Sequence, residues 1–277
     1  MPELAEVAYY CRQWQPSIGE VVRDVRIHPE TRVFRAHGSA RAAAKAAKEL
    51  AGRRLQSART HGKQMLFGFS EGRWLAVHLG MTGELSRVAG AEQVPRKHDH
   101  LTLDLEDGTM LVFHDPRQFG ALSIEVTGDS GKDPDWWTDL PPGILTSDFT
   151  RDRVAEALRR HARSPLKPLL LDQAWFPGIG NWMADELLWR LRLPPPQLAG
   201  TLRNAPGSIA AFWRGIRTLC REALEVIGTD WGEPPDRWLF NHRWRDGGHC
   251  PRRQCRAALV RADLRGRTTC WCPQCQA

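Results

Sequence analysis

The hydrophobic pattern changes period once along this chain, and that change constrains the fold more than any other feature. From about residue 20 to 125, apolar residues alternate in short segments: Met65-Phe67-Phe69, Leu75-Val77-Leu79, Leu101-Leu103-Leu105, then Met110 to Phe113. Alternation puts every second side chain on one face of a strand. Glu71-Gly72 and Asp107-Gly108 offer turns between such strands, which predicts an antiparallel sandwich or barrel. An Ala/Lys-rich helix near residues 39–51 interrupts it. From Asp148 the spacing is helical: Asp148 to Arg160, Pro165 to Leu171, Gly180 to Leu191 and Gly207 to Ile227, with Pro194-Pro195-Pro196 as a firm stop. The expected class is α+β in two domains. An N-terminal antiparallel β-sandwich flanked by helices covers 1–128, and a Gly-, Pro- and Asp-rich linker covers 129–147. A helical domain follows over 148–249, and a cysteine module over 250–277.

A chain of 277 residues accommodates two domains and a small module. Its 39 Lys and Arg against 32 Asp and Glu give a net charge of +7, which favours a polyanionic partner. No apolar run is long enough to span a membrane, and the start lacks the basic-then-apolar pattern of a secretory signal. A cytoplasmic protein is expected, associated with the nucleoid if the source is bacterial. Seven cysteines, clustered towards the end of the chain, argue in a reducing compartment for metal rather than disulfides.

Cys250 and Cys255 form a C-x4-C pair, and Cys272 and Cys275 a C-x2-C pair. Thiolate pairs on two facing turns close a tetrahedral zinc site with no open position, so the metal holds a loop and does no chemistry. Cys270 is a rival ligand beside Cys272, and free thiols are the plainer alternative. From Cys250 onward there are six arginines and one acid, Asp263, a composition suited to a ribbon hairpin that offers its tip to phosphates.

The chain opens Met1-Pro2-Glu3-Leu4-Ala5-Glu6-Val7. Methionine is normally trimmed before proline, which leaves a free secondary amine whose α-amino pKa of about 8 keeps it partly unprotonated. Condensed with an aldehyde, that amine becomes an iminium, positively charged at any pH, and Glu3 stands beside it to move protons. An ordinary helix start explains the same residues: Pro suits the first turn, Glu3 and Glu6 suit the N-terminus, and Val7, Tyr10, Cys11 and Trp14 follow at helical spacing. Further on, Gly178-Ile179-Gly180-Asn181 enters a helix. Glycines there let backbone N–H groups approach a phosphate, with Asn181 as a further donor.

Together these pieces resemble the formamidopyrimidine-DNA glycosylase and endonuclease VIII family, from end to end and in order. The resemblance rests on Pro2 to Val7, Gly62-Lys63, His78-Leu79-Gly80-Met81-Thr82-Gly83 and Asp115-Pro116-Arg117-Gln118-Phe119-Gly120. It continues through a helix–two-turn–helix segment from Lys167 to Leu191 and a zinc ribbon ending Gly266-Arg267-Thr268-Thr269 to Gln276. It implies an N-terminal β-sandwich and a C-terminal helical domain with a zinc finger, with DNA lying across the cleft between them. The implied activity is excision of oxidised or ring-opened bases from double-stranded DNA, followed by β/δ-elimination at the abasic site.

In that resemblance Pro2 is the nucleophile and Glu3 the general acid and base, with Lys63 completing the catalytic set. Lys63, Asn181 and Arg267 hold phosphates. Phe119 wedges between bases while Met81 and Arg117 fill the space of the flipped nucleotide. Lys167 is carried as a DNA-binding candidate or a helix-start residue, and Glu6 as structural support. Cys250, Cys255, Cys272 and Cys275 bind one structural Zn2+. A monomer suffices. Three departures stand out. The first cysteine pair is C-x4-C where the family has C-x2-C, so the turn bulges or His249 or Cys270 helps. Ala5 replaces a proline of the formamidopyrimidine branch. Residues 228–249 are shorter than the loop that covers flipped purines in enzymes specific for oxidised guanine. Lesion preference therefore stays open, and a non-catalytic damaged-DNA-binding relative is the alternative.

Overall fold

The computed structural model describes residues 1–89, 95–128, 131–204 and 207–277. The chain divides into two units: Met1–Pro2 with Glu6–Leu140, and Glu3–Ala5 with Pro141–Ala277.

In the first unit, helix α1 (Leu4–Trp14) buries Val7, Cys11 and Trp14, the stripe that their spacing predicts. The Trp14 ring packs 4.7 Å from Phe67, and its indole N–H donates to the Ser86 carbonyl at 3.1 Å. Strand β1 (Val22–Ile27) precedes helix α2 (Ala40–Ala47), which Ser39 caps by accepting from Ala42 N–H. Then come β2 (Leu55–His61), β3 (Gln64–Phe69), β4 (Arg73–His78) and β5 (Glu84–Ala89). Strands β6 (Asp99–Leu105), β7 (Thr109–His114) and β8 (Ala121–Val126) complete the set.

The strands form two antiparallel four-stranded sheets, ordered β1-β6-β7-β5 and β2-β3-β4-β8. The alternating residues expected inside are inside. Phe67 pairs with Leu75 and Met65 with Val77 across β3 and β4, and Leu101, Leu103 and Phe113 of the other sheet join the same buried cluster. The outcome is the sandwich rather than a closed barrel. A short helix α3 (Asp135–Thr138) occupies part of the stretch expected as linker; Asp129 and Ser130 lie outside the described residues.

In the second unit, α4 (Arg151–Arg160) is capped by Thr150, and α5 (Leu166–Leu170) precedes α6 (Asn181–Arg190). Helix α7 (Ala199–Asn204) follows the three prolines and has no counterpart in the expected pattern. Helix α8 (Ser208–Asp230) outlasts its expected end at Ile227 and stops where Trp231 turns left-handed at φ 60°. Every residue of α6 from Trp182 to Trp189 is buried, including Asp185 and Glu186. A helix buried on all faces must pair its charges internally, and that requirement organises the site. The ribbon hairpin of β9 (Val260–Asp263) and β10 (Thr268–Trp271) closes the chain. Among the described residues no helix is long and apolar enough to cross a membrane.

Candidate active site

In the first unit, the turns after β4 and β7 are fastened to one buried carboxylate, that of Asp115. Its Oδ1 accepts from Thr82 Oγ1 at 2.6 Å and Arg117 N–H at 3.3 Å, and its Oδ2 from Gly120 N–H at 2.7 Å. The His100 Nε2–H donates to the Asp115 carbonyl at 3.0 Å. Gly80 has φ +64°, and a Cβ there would lie 2.3 Å from the Phe119 backbone, so the two turns touch at a point only glycine allows. His78 Nδ1 accepts from Gly80 N–H at 3.1 Å, which requires a neutral ring. Burial first and the nearby Lys63 second hold His78 below its ordinary pKa.

This fixed backbone displays exposed side chains. Met81 is 40% and Phe119 46% exposed, and the Arg117 guanidinium lies 4.8 Å over the Phe119 ring. Large apolar groups are normally hidden, so two of them adjoining an exposed Arg mark a contact surface. Gln118, at φ 54°, is braced through its side chain by Arg32 N–H and through its carbonyl by Arg35. Lys63 sits in the two-residue turn between β2 and β3, where Gly62 takes φ +58°.

In the second unit, Glu3 is 2% exposed, and its carboxylate caps the start of α6. It accepts from Gly180 N–H at 2.9 Å, Trp182 N–H at 2.8 Å and Met183 N–H at 3.0 Å. A Cβ on Gly180 would lie 2.3 Å from the Glu3 carboxyl carbon, so that residue must be glycine. Three N–H donors at the positive end of a helix hold an anion firmly. The glycine-rich entry was expected to offer these N–H groups to a phosphate. The chain's own carboxylate occupies them.

Lys167 departs from expectation. It is wholly buried, with Nζ 2.7 Å from Asp185 Oδ1 and donating to the Thr268 carbonyl at 3.0 Å. Its ammonium is enclosed, which corrects its reading as a DNA-facing group. Burial lowers its pKa, and Asp185 opposes that shift. Asp185 Oδ2 also accepts from Arg243 at 2.6 Å and from Cys270 N–H at 3.0 Å. One carboxylate thus ties α5, α6, β10 and the segment before the cysteines. Asn181 Nδ2 donates to the same Thr268 carbonyl at 2.9 Å. Neighbouring Arg267 is exposed beside the hairpin turn, where Arg265 and Gly266 both take positive φ.

The sulfurs of Cys250, Cys255, Cys272 and Cys275 lie within 4.8 Å of one another, with Cys250 to Cys275 at 3.9 Å and Cys255 to Cys272 at 3.5 Å. A tetrahedral zinc with Zn–S of about 2.3 Å needs sulfurs about 3.8 Å apart. The set fits a metal ion. The longer first spacer is a bulged turn, with Cys255 N–H and Arg256 N–H both donating to the Arg252 carbonyl and Arg256 at φ 52°. Cys270 is outside the cluster; burial and Asp185 push its thiol up to about 11. His249 is outside it too. Trp189 Nε1–H donates to Cys250 Sγ at 3.4 Å.

The expected residues therefore assemble in two sets: Met81, Arg117 and Phe119 on adjoining turns in the first unit, and Glu3, Asn181 and the Arg267 hairpin around α6 in the second. Glu6 is half-buried on α1. Sequence reasoning passed over Asp115, His78, Asp185 and Arg243 as working parts. Two acids inside the apolar run Trp182 to Trp189 were the available signal for Asp185.

Residues 1–122 match the family model of the formamidopyrimidine-DNA glycosylase N-terminal domain, and residues 140–232 that of its H2TH domain. A formamidopyrimidine-DNA glycosylase of Roseiflexus sp. is 39% identical, over 82% of this chain and 83% of its own. One of Roseobacter denitrificans is 31% identical over the full length of both. Among solved structures, MutM bound to DNA containing carbocyclic 8-oxo-G superposes with a TM-score of 0.83 at 26% identity, covering all of both chains. The Lactococcus lactis Fpg complex with abasic-site DNA gives 0.83 at 25% identity, covering 99% of each.

Proposed function

The chain belongs to the formamidopyrimidine-DNA glycosylase family, and from that premise we propose that it excises oxidised or ring-opened bases from duplex DNA and cleaves the abasic strand through an iminium on Pro2. The observation that carries this reading is the Glu3 carboxylate. Three backbone N–H groups fix it, one residue from the nitrogen that acts as nucleophile.

The Pro2 nitrogen forms a bond to C1′ of the deoxyribose as the glycosidic bond breaks, and the base leaves with the electron pair and gains a proton. Glu3, a carboxylate at the outset, takes the proton that the Pro2 nitrogen sheds once bonded and passes it to the ring oxygen as the C1′–O4′ bond opens, leaving the iminium. The positive nitrogen draws electrons from C2′, whose proton is lost as the 3′-phosphate departs. A second proton loss at C4′ expels the 5′-phosphate, and water releases Pro2. Before any of this the base must leave the stack. Phe119 wedges beside the gap while Met81 and Arg117 fill it, their turns held by Asp115 through Thr82, Arg117 and Gly120 so that insertion reorganises little. Lys63, Asn181 and Arg267 carry phosphates flanking the lesion. The four cysteines hold Zn2+, which supplies structure alone and keeps the Arg267 hairpin in place.

The test is strand cleavage of duplexes bearing 8-oxoguanine, ring-opened guanine, an oxidised pyrimidine or an abasic site, with wild type and Pro2→Gly. Cleavage by the wild type that falls at least about 100-fold in the variant, with binding retained, supports the reading. Binding to lesions without cleavage of any duplex would leave a damage-binding protein in its place.

A further inference from the structure

Beyond the lesion-handling residues, the second unit carries a basic pocket of about 700 Å³ between the segment 241–249 and the first cysteine turn. Trp244, Arg245 and Arg256 line it, with His242 and His249. We propose that this pocket binds single-stranded DNA, with a base stacked on Trp244 and phosphodiesters held by Arg245 and Arg256.

Trp244 is 54% exposed. It is not a loose surface residue. The Arg243 guanidinium sits 4.7 Å over its ring, Phe240 meets it edge-on at 5.0 Å, and Arg243 is itself anchored on buried Asp185. The indole is thus held by its neighbours and still more than half exposed, the combination a stacking platform needs. A duplex keeps its base faces stacked inside and has none to offer; an unpaired strand does.

The cations complete the match. Among the described residues neither Arg245 nor Arg256 is in an ion pair, whereas nearby Asp246 already pairs with Arg261 at 2.7 Å. Arg256 owes its place to the enlarged C-x4-C turn, where it takes φ 52° and donates its N–H to the Arg252 carbonyl at 3.3 Å. The segment opposite is pinned too: Leu259 N–H donates to the Gly248 carbonyl at 2.8 Å, and His242 Nε2–H to the Asp236 carbonyl at 2.9 Å. Two unpaired guanidinium groups flanking one open aromatic face suit alternating phosphates and bases. An acidic peptide would use the cations and leave the indole idle.

The inference rests on the reading of the chain as a DNA-acting enzyme, but its test needs no lesion. Binding of the full-length protein to fluorescein-labelled oligothymidylate is followed by anisotropy at several salt concentrations. Trp244→Ala is expected to weaken binding about tenfold or more, and Trp244→Phe to keep most of it. The Arg245→Ala, Arg256→Ala double variant should reduce the salt slope by about 1.4. Cleavage of a blunt lesion duplex should stay at the wild-type level in all three. Oligothymidylate binding that ignores Trp244→Ala and the double variant would overturn the proposal. So would polyglutamate binding as tight as the oligonucleotide and equally indifferent to Trp244. Wild-type protein that binds oligothymidylate through Trp244 yet cleaves no lesion duplex would defeat the function proposed above and leave this pocket standing.

Discussion

The turns of the sandwich and the core of the helical unit both depend on a buried carboxylate, yet they use it for opposite ends. Asp115 accepts from the backbones of Arg117 and Gly120 and from Thr82, and the large side chains of Met81 and Phe119 project into solvent. Asp185 instead accepts from the side chains of Lys167 and Arg243 and keeps both cations inside. In the first case the anion fixes a scaffold so that apolar groups can remain exposed. In the second it neutralises charge so that a helix can be buried on every face. Glu3 combines the two roles, with its backbone partners buried and its carboxylate proposed above for proton transfer.

Removing each anion in turn separates these roles. Glu3→Gln should give the largest effect on activity, a loss of about 100-fold or more in strand cleavage, measured on an abasic duplex under single turnover. The stability cost of Glu3→Ala should be about 1–3 kcal/mol or more, because three helix N–H groups lose their acceptor. Activity that survives Glu3→Gln would make Glu3 only a helix cap.

Asp185→Ala should be the most destabilising of the set, by about 3–5 kcal/mol, since it leaves Lys167 and Arg243 buried without an anion. Urea titration reads it directly. A loss below about 1 kcal/mol would mean that Lys167 reaches solvent. Asp115→Ala should destabilise less, by about 1–3 kcal/mol, while lesion affinity falls further than stability predicts because the Met81 and Phe119 turns lose their common anchor. Equal losses in stability and affinity would dissolve the distinction between scaffold and core.

The smallest effect is on pH dependence. Burial first and Lys63 second hold His78 below 6.5, and burial likewise lowers His100. The unfolded chain takes up these protons near pH 6.5 while the folded sandwich resists them. Their contribution to stability is therefore complete above about 6.5 and is lost as the pH falls below it towards the folded-state values. Melting temperatures from pH 7.5 down to 5 should decline less in His78→Gln than in the wild type; identical slopes would remove His78 from the account.

Much of this was legible in sequence because it is local. Periodicity placed the strands around Phe67, Leu75 and Leu103 and the helices α1, α4, α5, α6 and α8. Cysteine spacing located the four-cysteine cluster, and order along the chain revealed the family. What stayed hidden depends on partners far apart in the chain. Lys167 sits in a run, Leu166 to Leu170, that reads equally well as a surface helix start; only Asp185 and Thr268 explain its burial. The glycines before α6 read as a phosphate cradle because nothing nearby betrays a carboxylate 177 residues away in the chain filling it. Helix α7 follows three prolines, where the local signal says stop.

The central claim, amine chemistry at Pro2 beside a fixed Glu3, is tested most directly by borohydride trapping. Wild-type protein with a lesion or abasic duplex should yield a stable covalent adduct, and peptide mass mapping should place the DNA remnant on an N-terminal Pro2 freed of Met1. Pro2→Gly should trap weakly or not at all. An adduct mapped to a lysine, or none on any duplex while binding persists, would contradict the account.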